Sequence, residues 1–366
     1  QDVGTDRYIS TLSTSVDSWI IDGKKVQSTQ KPTIVSSTLT WEKVTTLDLG
    51  LDARFFNDAL GVTFDWYNRT TSDILTTANL PATLGADAPY ENMGTIQTKG
   101  WELAIDYRHT FKNGLHFGVT ASVADDKTEV TKWTYNTKIP SYGATGWWDK
   151  SAYKEGMVLG DIWGVQVDRF LTEDDFNADG SLKAGLPDQT KVFPAGYQFA
   201  PGDVLYKDLD NNGEIVKQTN TNDKGDLSVI GNALPRLQFG LNLDAAWKGF
   251  DISMFFQGVA KRKLWAAGNQ VLPGFTTGEP FYKGAEDYWT PENTDAFYPR
   301  PMDYKQSASG NYSVNDRYLL NMAYLRLKTF TVGYSLPKVW LSKVKVQGLR
   351  VYFTGENLFT IDGVKP

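Results

Sequence analysis

Residues 46–66 read TLDLGLDARFFNDALGVTFDW. Before the turn at Asn57–Asp58, apolar residues occupy every second position from Leu47 to Phe55, and glycine or charged residues fill the positions between them. After the turn, the same alternation runs from Leu60 to Trp66. Because successive side chains of a strand point to opposite faces of its sheet, this stretch predicts a hairpin with one apolar and one polar face.

The pattern recurs along the chain and predicts eight long strands. Further hairpins turn at Asn113–Gly114 and Lys248–Gly249. The predicted strands are 43–56, 60–75, 96–109, 115–130, 234–247, 250–260, 322–336 and 349–360. Their apolar face comprises Leu47, Leu49, Leu51, Phe64, Trp66, Leu103, Ile105, Phe117, Val119, Leu237, Phe239, Leu241, Leu243, Ile252 and Met254. Such strands are typical of an antiparallel transmembrane β-barrel, with the apolar face in lipid.

A large soluble β-sandwich is the main structural alternative, since its strands also alternate. Sandwich strands usually run about five or six residues, whereas several of these are at least ten. A sandwich also shows turn signals about every eight to twelve residues, whereas tight turns here alternate with very long connections. Both differences favour the barrel.

Tight turns of bacterial barrels face the periplasm and long loops face outward. The long connections therefore predict extracellular excursions through 76–94, 127–159 and 262–318. The stretch 131–233 leaves and re-enters the barrel on the outer side. It is either one large excursion or it contains an even number of barrel strands, and Gly160–Phe170 is a candidate for one of them.

In one predicted strand, the alternation of apolar and polar residues changes phase partway along. In Tyr324–Tyr334, Leu325 and Leu327 alternate in one phase and Phe330 and Val332 in the other. A single β-bulge near Lys328–Thr329 restores a common apolar face. We therefore predict a bulge there.

Strand direction also leads to an expectation about the chain ends. If 43–56 runs toward the periplasm, 349–360 ends on the outside. A barrel in lipid has no open edge, so both terminal strands need further partners. We expect these partners, including a closing strand, to lie outside residues 1–366.

Composition excludes several classes of protein. The chain has no cysteine, which excludes disulfide and thiolate sites. It carries a net charge of −6, which argues against a nucleic-acid partner. No nucleophile motif or phosphate loop is present. Carboxylates such as Asp48 and Asp52 share a strand face roughly 13 Å apart, too far for glycosidase chemistry. We therefore predict that the chain is not an enzyme.

Eight stretches together resemble the C-terminal barrel half of the SusC/RagA family of TonB-dependent outer-membrane transporters of the Bacteroidota. They are WEKVTTLDLGLD, FDWYNRTTSDIL, NLPATLGADAPYENMG, TKGWELAIDYR, PGDVLYKDLDNNGEI, VIGNALPRLQFGLNLDAAWKGFDISMFFQG, AYLRLKTFTVGYSLP and LRVYFTGENLFTI. They follow the family's order from Trp41 to Ile361. Each is weakly specific alone, but the series is specific.

The resemblance implies an all-β fold: the C-terminal part of a 22-stranded barrel plugged by an N-terminal domain. Residues 1–366 would then lack the plug, the first barrel half and the terminal strand. It also implies a SusD-like lipoprotein lid, a dimer of transporter–lipoprotein pairs, an outer-membrane location and energy from the TonB complex, reached through the absent N-terminal part. The implied cargo is a nutrient, an oligosaccharide first and a peptide second.

Asp208, Asp210 and Asn212, followed by Gly213, have the opening spacing of a calcium loop. Position twelve is Thr219 rather than an acidic residue, although Asp223 or Asp226 could substitute. A calcium or magnesium ion is therefore one interpretation, and no other cofactor is expected. The other interpretation is a turn whose side chains satisfy its own backbone.

Aromatic residues gather in two predicted outer loops. Tyr142, Trp147 and Trp148 lie in one, and Trp289 lies in the other beside Tyr282, Tyr288, Phe297 and Tyr298. Aromatic faces stack on sugar rings and anchor interfaces. These residues are candidates for substrate contact, with internal loop packing or contact with the lid as alternatives.

Three functions remain at this point. The first is TonB-dependent import. The second is an outer-membrane barrel that binds or adheres at the surface without transport. The third is a soluble glycan-binding sandwich or glycosidase accessory domain.

Overall fold

The structure, a computed structural model, describes residues 10, 13–29, 34–77, 89–134, 154–217, 223–268, 270–274, 282–302, 310–342 and 345–364. The strands in this part of the chain are β1 (Thr14–Ile21), β2 (Lys24–Thr29), β3 (Lys43–Phe55), β4 (Leu60–Thr77), β5 (Tyr90–Thr110), β6 (His116–Trp133), β7 (Asp161–Gly164), β8 (Val167–Phe170), β9 (Val204–Tyr206), β10 (Ser228–Asn232), β11 (Arg236–Trp247), β12 (Phe250–Lys261), β13 (Lys263–Leu264), β14 (Leu320–Asn321), β15 (Tyr324–Ser335) and β16 (Arg350–Asp362).

Helical structure is sparse. The described residues contain one short α-helix, α1 (Lys338–Ser342), and two 3₁₀ turns, Glu173–Asp175 and Lys283–Ala285. None of these has the length and apolarity of a membrane-spanning helix.

The eight predicted strands form one antiparallel sheet in the order β16-β15-β12-β11-β6-β5-β4-β3. Every strand pairs with its neighbour in this series, and each boundary lies within a few residues of the predicted one, apart from the start of β5 at Tyr90. Among the described residues, β3 and β16 pair on one side only. The prediction of an antiparallel sheet of long strands is confirmed, and we call this eight-stranded sheet the wall.

Residues between β6 and β11 contribute no strand to this sheet in the described part of the chain, because β6 pairs directly with β11. The suggestion that Gly160–Phe170 is a wall strand is wrong. Within it, β7 pairs with β10 and β8 pairs with β9, in small separate sheets. The four-residue strands are too short to cross a bilayer, which takes about nine to eleven residues.

Pairing brings the apolar residues of adjacent strands onto one continuous face. Leu51, Phe64, Leu103, Val123 and Phe239 lie side by side across five strands. Leu49 on this face is 59% exposed. Such exposure is expected where an apolar side chain contacts lipid and not protein. The register therefore matches the predicted lipid-facing set.

The opposite face is polar and is cross-linked by charge pairs. Arg54 on β3 donates from Nη1 to Oδ2 of Asp106 on β5, 2.8 Å away. The pair passes over Gly61 of β4, where an added Cβ would lie 2.3 Å from Asp106 Oδ1. Only glycine leaves room for this contact. The carboxylates of this face therefore line the interior of the wall.

The predicted bulge is present in β15. Thr329 pairs with Phe255 and Leu327 pairs with the next residue, Phe256, so Lys328 has no opposite residue on β12. The extra residue restores Phe330 and Val332 to the face of Leu327, which is the expected effect of a bulge.

Candidate functional site

The two long excursions, 134–235 and 262–323, pack against each other, and we call their described residues the outer unit. One buried cluster combines Phe170, Val204 and Tyr206 of the first excursion with Trp289 and Ala296 of the second. A second cluster combines Ile162 of the first with Trp265, Leu272, Tyr298, Tyr312 and Tyr318 of the second. The apolar core of the described chain lies mainly in this unit, because the wall turns its apolar face outward.

A buried charge network holds the outer unit together. Asp203, whose side chain is fully buried, accepts two hydrogen bonds from Arg300, from Nε at 2.8 Å and Nη2 at 3.2 Å. The same carboxylate accepts bonds from the Tyr197 hydroxyl, the Asn311 amide and the Ala200 N–H. Because a buried carboxylate is stable only when it is paired and hydrogen-bonded, this network ties one excursion to the other.

The Asp208 loop lies on the first excursion, after β9. Carboxylate oxygens of Asp208, Asp210 and Asp226 lie within 4.8 Å of one another. Asp226, one of the two substitutes expected from the sequence, completes this cluster. Three carboxylate oxygens at this spacing can meet one Ca²⁺ at the usual 2.3–2.6 Å.

The same carboxylates also satisfy the loop backbone. Asp208 accepts from the Gly213 N–H at 2.8 Å, and Asp226 accepts from the N–H groups of Leu209 and Val216. The Gly213 bond lowers the pKa of Asp208. Desolvation raises the pKa of Asp210, and the neighbouring negative charges of Asp226 and Asp208 add to the rise. Both interpretations made from the sequence therefore fit this geometry.

The aromatic candidates have different positions. Tyr142, Trp147 and Trp148 lie outside the described residues. Trp289 is only 7% exposed and packs in the first cluster, where an added Cβ on Gly202 would lie 2.5 Å from its ring. Its burial favours the packing interpretation, and its contact with substrate stays a prediction.

A cavity of about 380 Å³ opens in the second excursion, and we call it the tyrosine pocket. Its lining residues are Pro273, Tyr282, Lys283, Ala285, Glu286, Tyr288, Tyr298, Pro299, Pro301 and Tyr312. Tyr282 and Tyr288 are 44% and 40% exposed, whereas Tyr298 and Tyr312 are each 4% exposed. Its volume lies within the range of about 300–1,000 Å³ that small-ligand sites occupy.

The two buried tyrosines of this pocket, Tyr298 and Tyr312, pack against Tyr318. Tyr318 stacks on Tyr298 with ring centroids 6.0 Å apart and meets Tyr312 edge-on at 5.2 Å. Burial raises the pKa of both Tyr298 and Tyr312, so both hydroxyls remain protonated and can donate. Among the described residues, the buried side-chain polar atoms without a hydrogen-bond partner are Asn68 Oδ1, Trp163 Nε1 and Trp289 Nε1, and neither of these hydroxyls is one of them.

Sequence reasoning found part of this pocket. Tyr282, Tyr288 and Tyr298 stand in the aromatic-rich excursion already noted, but Tyr312 and the three prolines were missed. These residues are brought together by the fold of the excursion, and their spacing carries no periodic signal.

A family model described as "TonB dependent receptor-like, beta-barrel" matches residues 6–358. TonB-dependent receptor P3 of Formosa agariphila is 27% identical over 350 residues, which cover 93% of this chain and 32% of that protein. TonB-dependent receptor SusC of Bacteroides thetaiotaomicron is 23% identical over 352 residues, which cover 94% and 31%. The chain therefore spans about a third of the length of these relatives.

A solved structure titled "Structure of the RagAB peptide transporter" superposes with a TM-score of 0.69 at 19% identity. The match covers 99% of this chain and 35% of that one. At this identity the likeness shows a shared fold.

Proposed function

Because this chain belongs to the family of TonB-dependent receptor-like β-barrels, we propose that it forms the C-terminal part of the barrel of an active nutrient importer. The protein is located in the outer membrane, and its family consists of receptors rather than enzymes. The observation that supports import best is the match of residues 6–358, nearly the whole chain, to this receptor family.

Two features of the structure support this proposal. The continuous apolar face places the wall in lipid, and the charged face lines its interior. The outer unit stands at the end of the wall opposite the tight turns, where an arriving nutrient is first met. In the proposed mechanism, the outer unit captures cargo and TonB supplies the energy that opens a passage.

The partners belong to the same proposal. The resemblance to the SusC/RagA family supports a SusD-like lipoprotein lid over the outer unit, a dimer of transporter–lipoprotein pairs, and a plug domain that contacts TonB. The proposed cargo is an oligosaccharide, with a peptide as the second candidate.

Energy dependence tests import against surface adhesion. Cells that carry the whole encoded protein should accumulate labelled saccharide, and deletion of TonB should abolish accumulation while leaving surface binding intact, because only transport needs the energy relay. Accumulation would be measured by scintillation counting of washed cells. Accumulation that survives without TonB would contradict the proposal, as would binding with no accumulation in energised cells.

We also propose that the Asp208 loop holds a divalent cation, calcium before magnesium. Calcium should raise the melting temperature of the purified protein relative to EDTA, because a ligand that binds only the folded state stabilises it. Asp210→Asn should lose most of this increase.

Asp179→Asn is the matched control, since Asp179 also caps a turn, by accepting from the Ser181 N–H, but belongs to no carboxylate cluster within the described part of the chain. Equal melting temperatures in calcium and EDTA would leave the turn interpretation. Loss of the calcium effect in Asp179→Asn would show that the Asp208 loop is not its source.

A further inference from the structure

We propose that the connection between β15 and β16, together with the neighbouring tight turn at Lys248–Gly249, binds the headgroups of anionic phospholipids at the periplasmic surface of the outer membrane. We call the described residues of 247–249 and 336–349 the basic rim. The inference goes beyond import and does not depend on it, because it concerns how the wall is held in its membrane. It is carried by exposed apolar side chains and lysines that lie together beside the lipid-facing sheet.

The basic rim continues the lipid-facing surface of the wall at the end where the tight turns lie, which in bacterial barrels is the periplasmic end. Phe250 and Tyr334 pair across β12 and β15 on the apolar face, with ring centroids 4.5 Å apart. Trp247 pairs with Phe250 on the other side and is exposed. Aromatic residues gather where a membrane meets water. These three rings therefore mark the level at which the chain leaves the bilayer.

The tight turn and the longer connection lie side by side. The Gly249 carbonyl accepts from the Ser335 N–H at 2.7 Å, so the turn adjoins the end of β15. Lys248 Nζ lies 4.4 Å from the centroid of the Trp247 ring. Lys338 begins α1, three residues after Ser335. The fold therefore gathers lysines from two separate connections at one place.

The connection exposes apolar side chains that a water-facing loop has no reason to carry. In α1, Val339 is 71% exposed and Trp340 is 59% exposed, whereas Leu341 is buried. Val346 and Leu349, further along, are also exposed. Contiguous exposed apolar residues mark a surface that contacts a membrane or another protein. Tryptophan and aliphatic residues mixed with lysines are typical of segments that lie in a membrane interface.

The charge of the rim favours an anionic lipid. Residues 336–349 contain three lysines and no acidic residue. Lys338 and Lys345 are exposed, and no ion pair among the described residues includes either of them or Lys248. Basic residues at a membrane surface attract anionic headgroups. A phospholipid with a net negative charge should therefore bind here more tightly than a zwitterionic one.

The acidic residue closest to Lys248 in the sequence does not cancel this charge. Asp251 lies on the polar face of β12, where it accepts from Arg350 Nε at 3.0 Å. A periplasmic protein with an acidic surface is the competing occupant of the rim. Lipid is favoured because the rim adjoins the lipid face and begins at the aromatic level of Trp247 and Tyr334.

The test uses native mass spectrometry of the whole encoded protein, titrated in detergent with dioleoylphosphatidylglycerol or dioleoylphosphatidylcholine. The wild type should bind phosphatidylglycerol more tightly than phosphatidylcholine. The triple variant Lys248→Gln/Lys338→Gln/Lys345→Gln should lose roughly tenfold or more of its affinity for phosphatidylglycerol, because each basic residue near an anionic headgroup strengthens binding about fivefold. Its affinity for phosphatidylcholine should change little.

Lys183→Gln/Lys207→Gln/Lys224→Gln is the matched control, because it removes three exposed lysines of the outer unit and changes the net charge equally. It should bind both lipids as the wild type does, and both triple variants should keep the heat-modifiable migration of the wild type. Equal affinity of the wild type for the two lipids would overturn the proposal and leave a protein as the occupant. Equal losses in the two triple variants would also overturn it, since they would reflect net charge and not the rim.

Discussion

Leu241→Arg is expected to destabilise the barrel by about 2–4 kcal/mol, the cost of an arginine on the lipid face at mid-bilayer. Leu241 lies at the centre of β11, paired with Ala121 on one side and Phe256 on the other, and its side chain belongs to the apolar face. The folded fraction in the outer membrane, measured by heat-modifiable migration in gels, should fall sharply.

Asn242→Arg is the matched control. Asn242 is the next residue of the same strand, at the same depth, on the face of Thr120 and Phe255. Its arginine would point to the polar interior of the wall and should be tolerated far better. Equal folded fractions for the two variants would contradict the assignment of lipid and interior faces.

Arg300→Ala should cost about 3–5 kcal/mol of the outer unit's stability, because it leaves the Asp203 carboxylate buried without its counter-charge. The Asp203 side chain is fully buried, and Arg300 comes from the other excursion, 97 residues further along the chain. The outer unit should become sensitive to limited proteolysis while the wall keeps its heat-modifiable migration.

Lys191→Ala provides the comparison, because Lys191 pairs with Glu214 at the surface of the same unit. Exposed ion pairs contribute little to stability, so its proteolysis pattern should match that of the wild type. If Arg300→Ala resists protease as well as Lys191→Ala does, the network does not join the two excursions.

The wall was predictable from the sequence because its signals are local. Alternation with a period of two identifies strands such as 43–55 and 250–261, and tight turns such as Lys248–Gly249 set which strands pair. The bulge at Lys328 was also predictable, because one extra residue in the strand accounts for the phase change between Leu327 and Phe330. Lipid imposes this regularity, because every backbone group of the wall must be paired within a sheet.

The Asp208 loop was predictable in part. The spacing of Asp208, Asp210 and Asn212 identifies the turn by itself. The choice of Asp226 over Asp223 as the third carboxylate was left open by the sequence, because both follow the loop at similar distances along the chain. The fold decided it by placing Asp226 beside Asp208 and Asp210.

The sequence by itself therefore determined the eight long strands, the hairpins that join them, the two faces of the sheet and the family resemblance. Only the tertiary structure decided that 134–235 contributes no wall strand in its described part, that Asp203 meets Arg300, and that Tyr298 and Tyr312 share a cavity. The physical reason is the environment of each part. In lipid, hydrogen-bond pairing forces a repeating pattern that can be read residue by residue. The excursions lie in water, and their buried polar groups are paired with residues that are distant in the sequence. No local periodicity of the sequence indicates which of these residues come into contact.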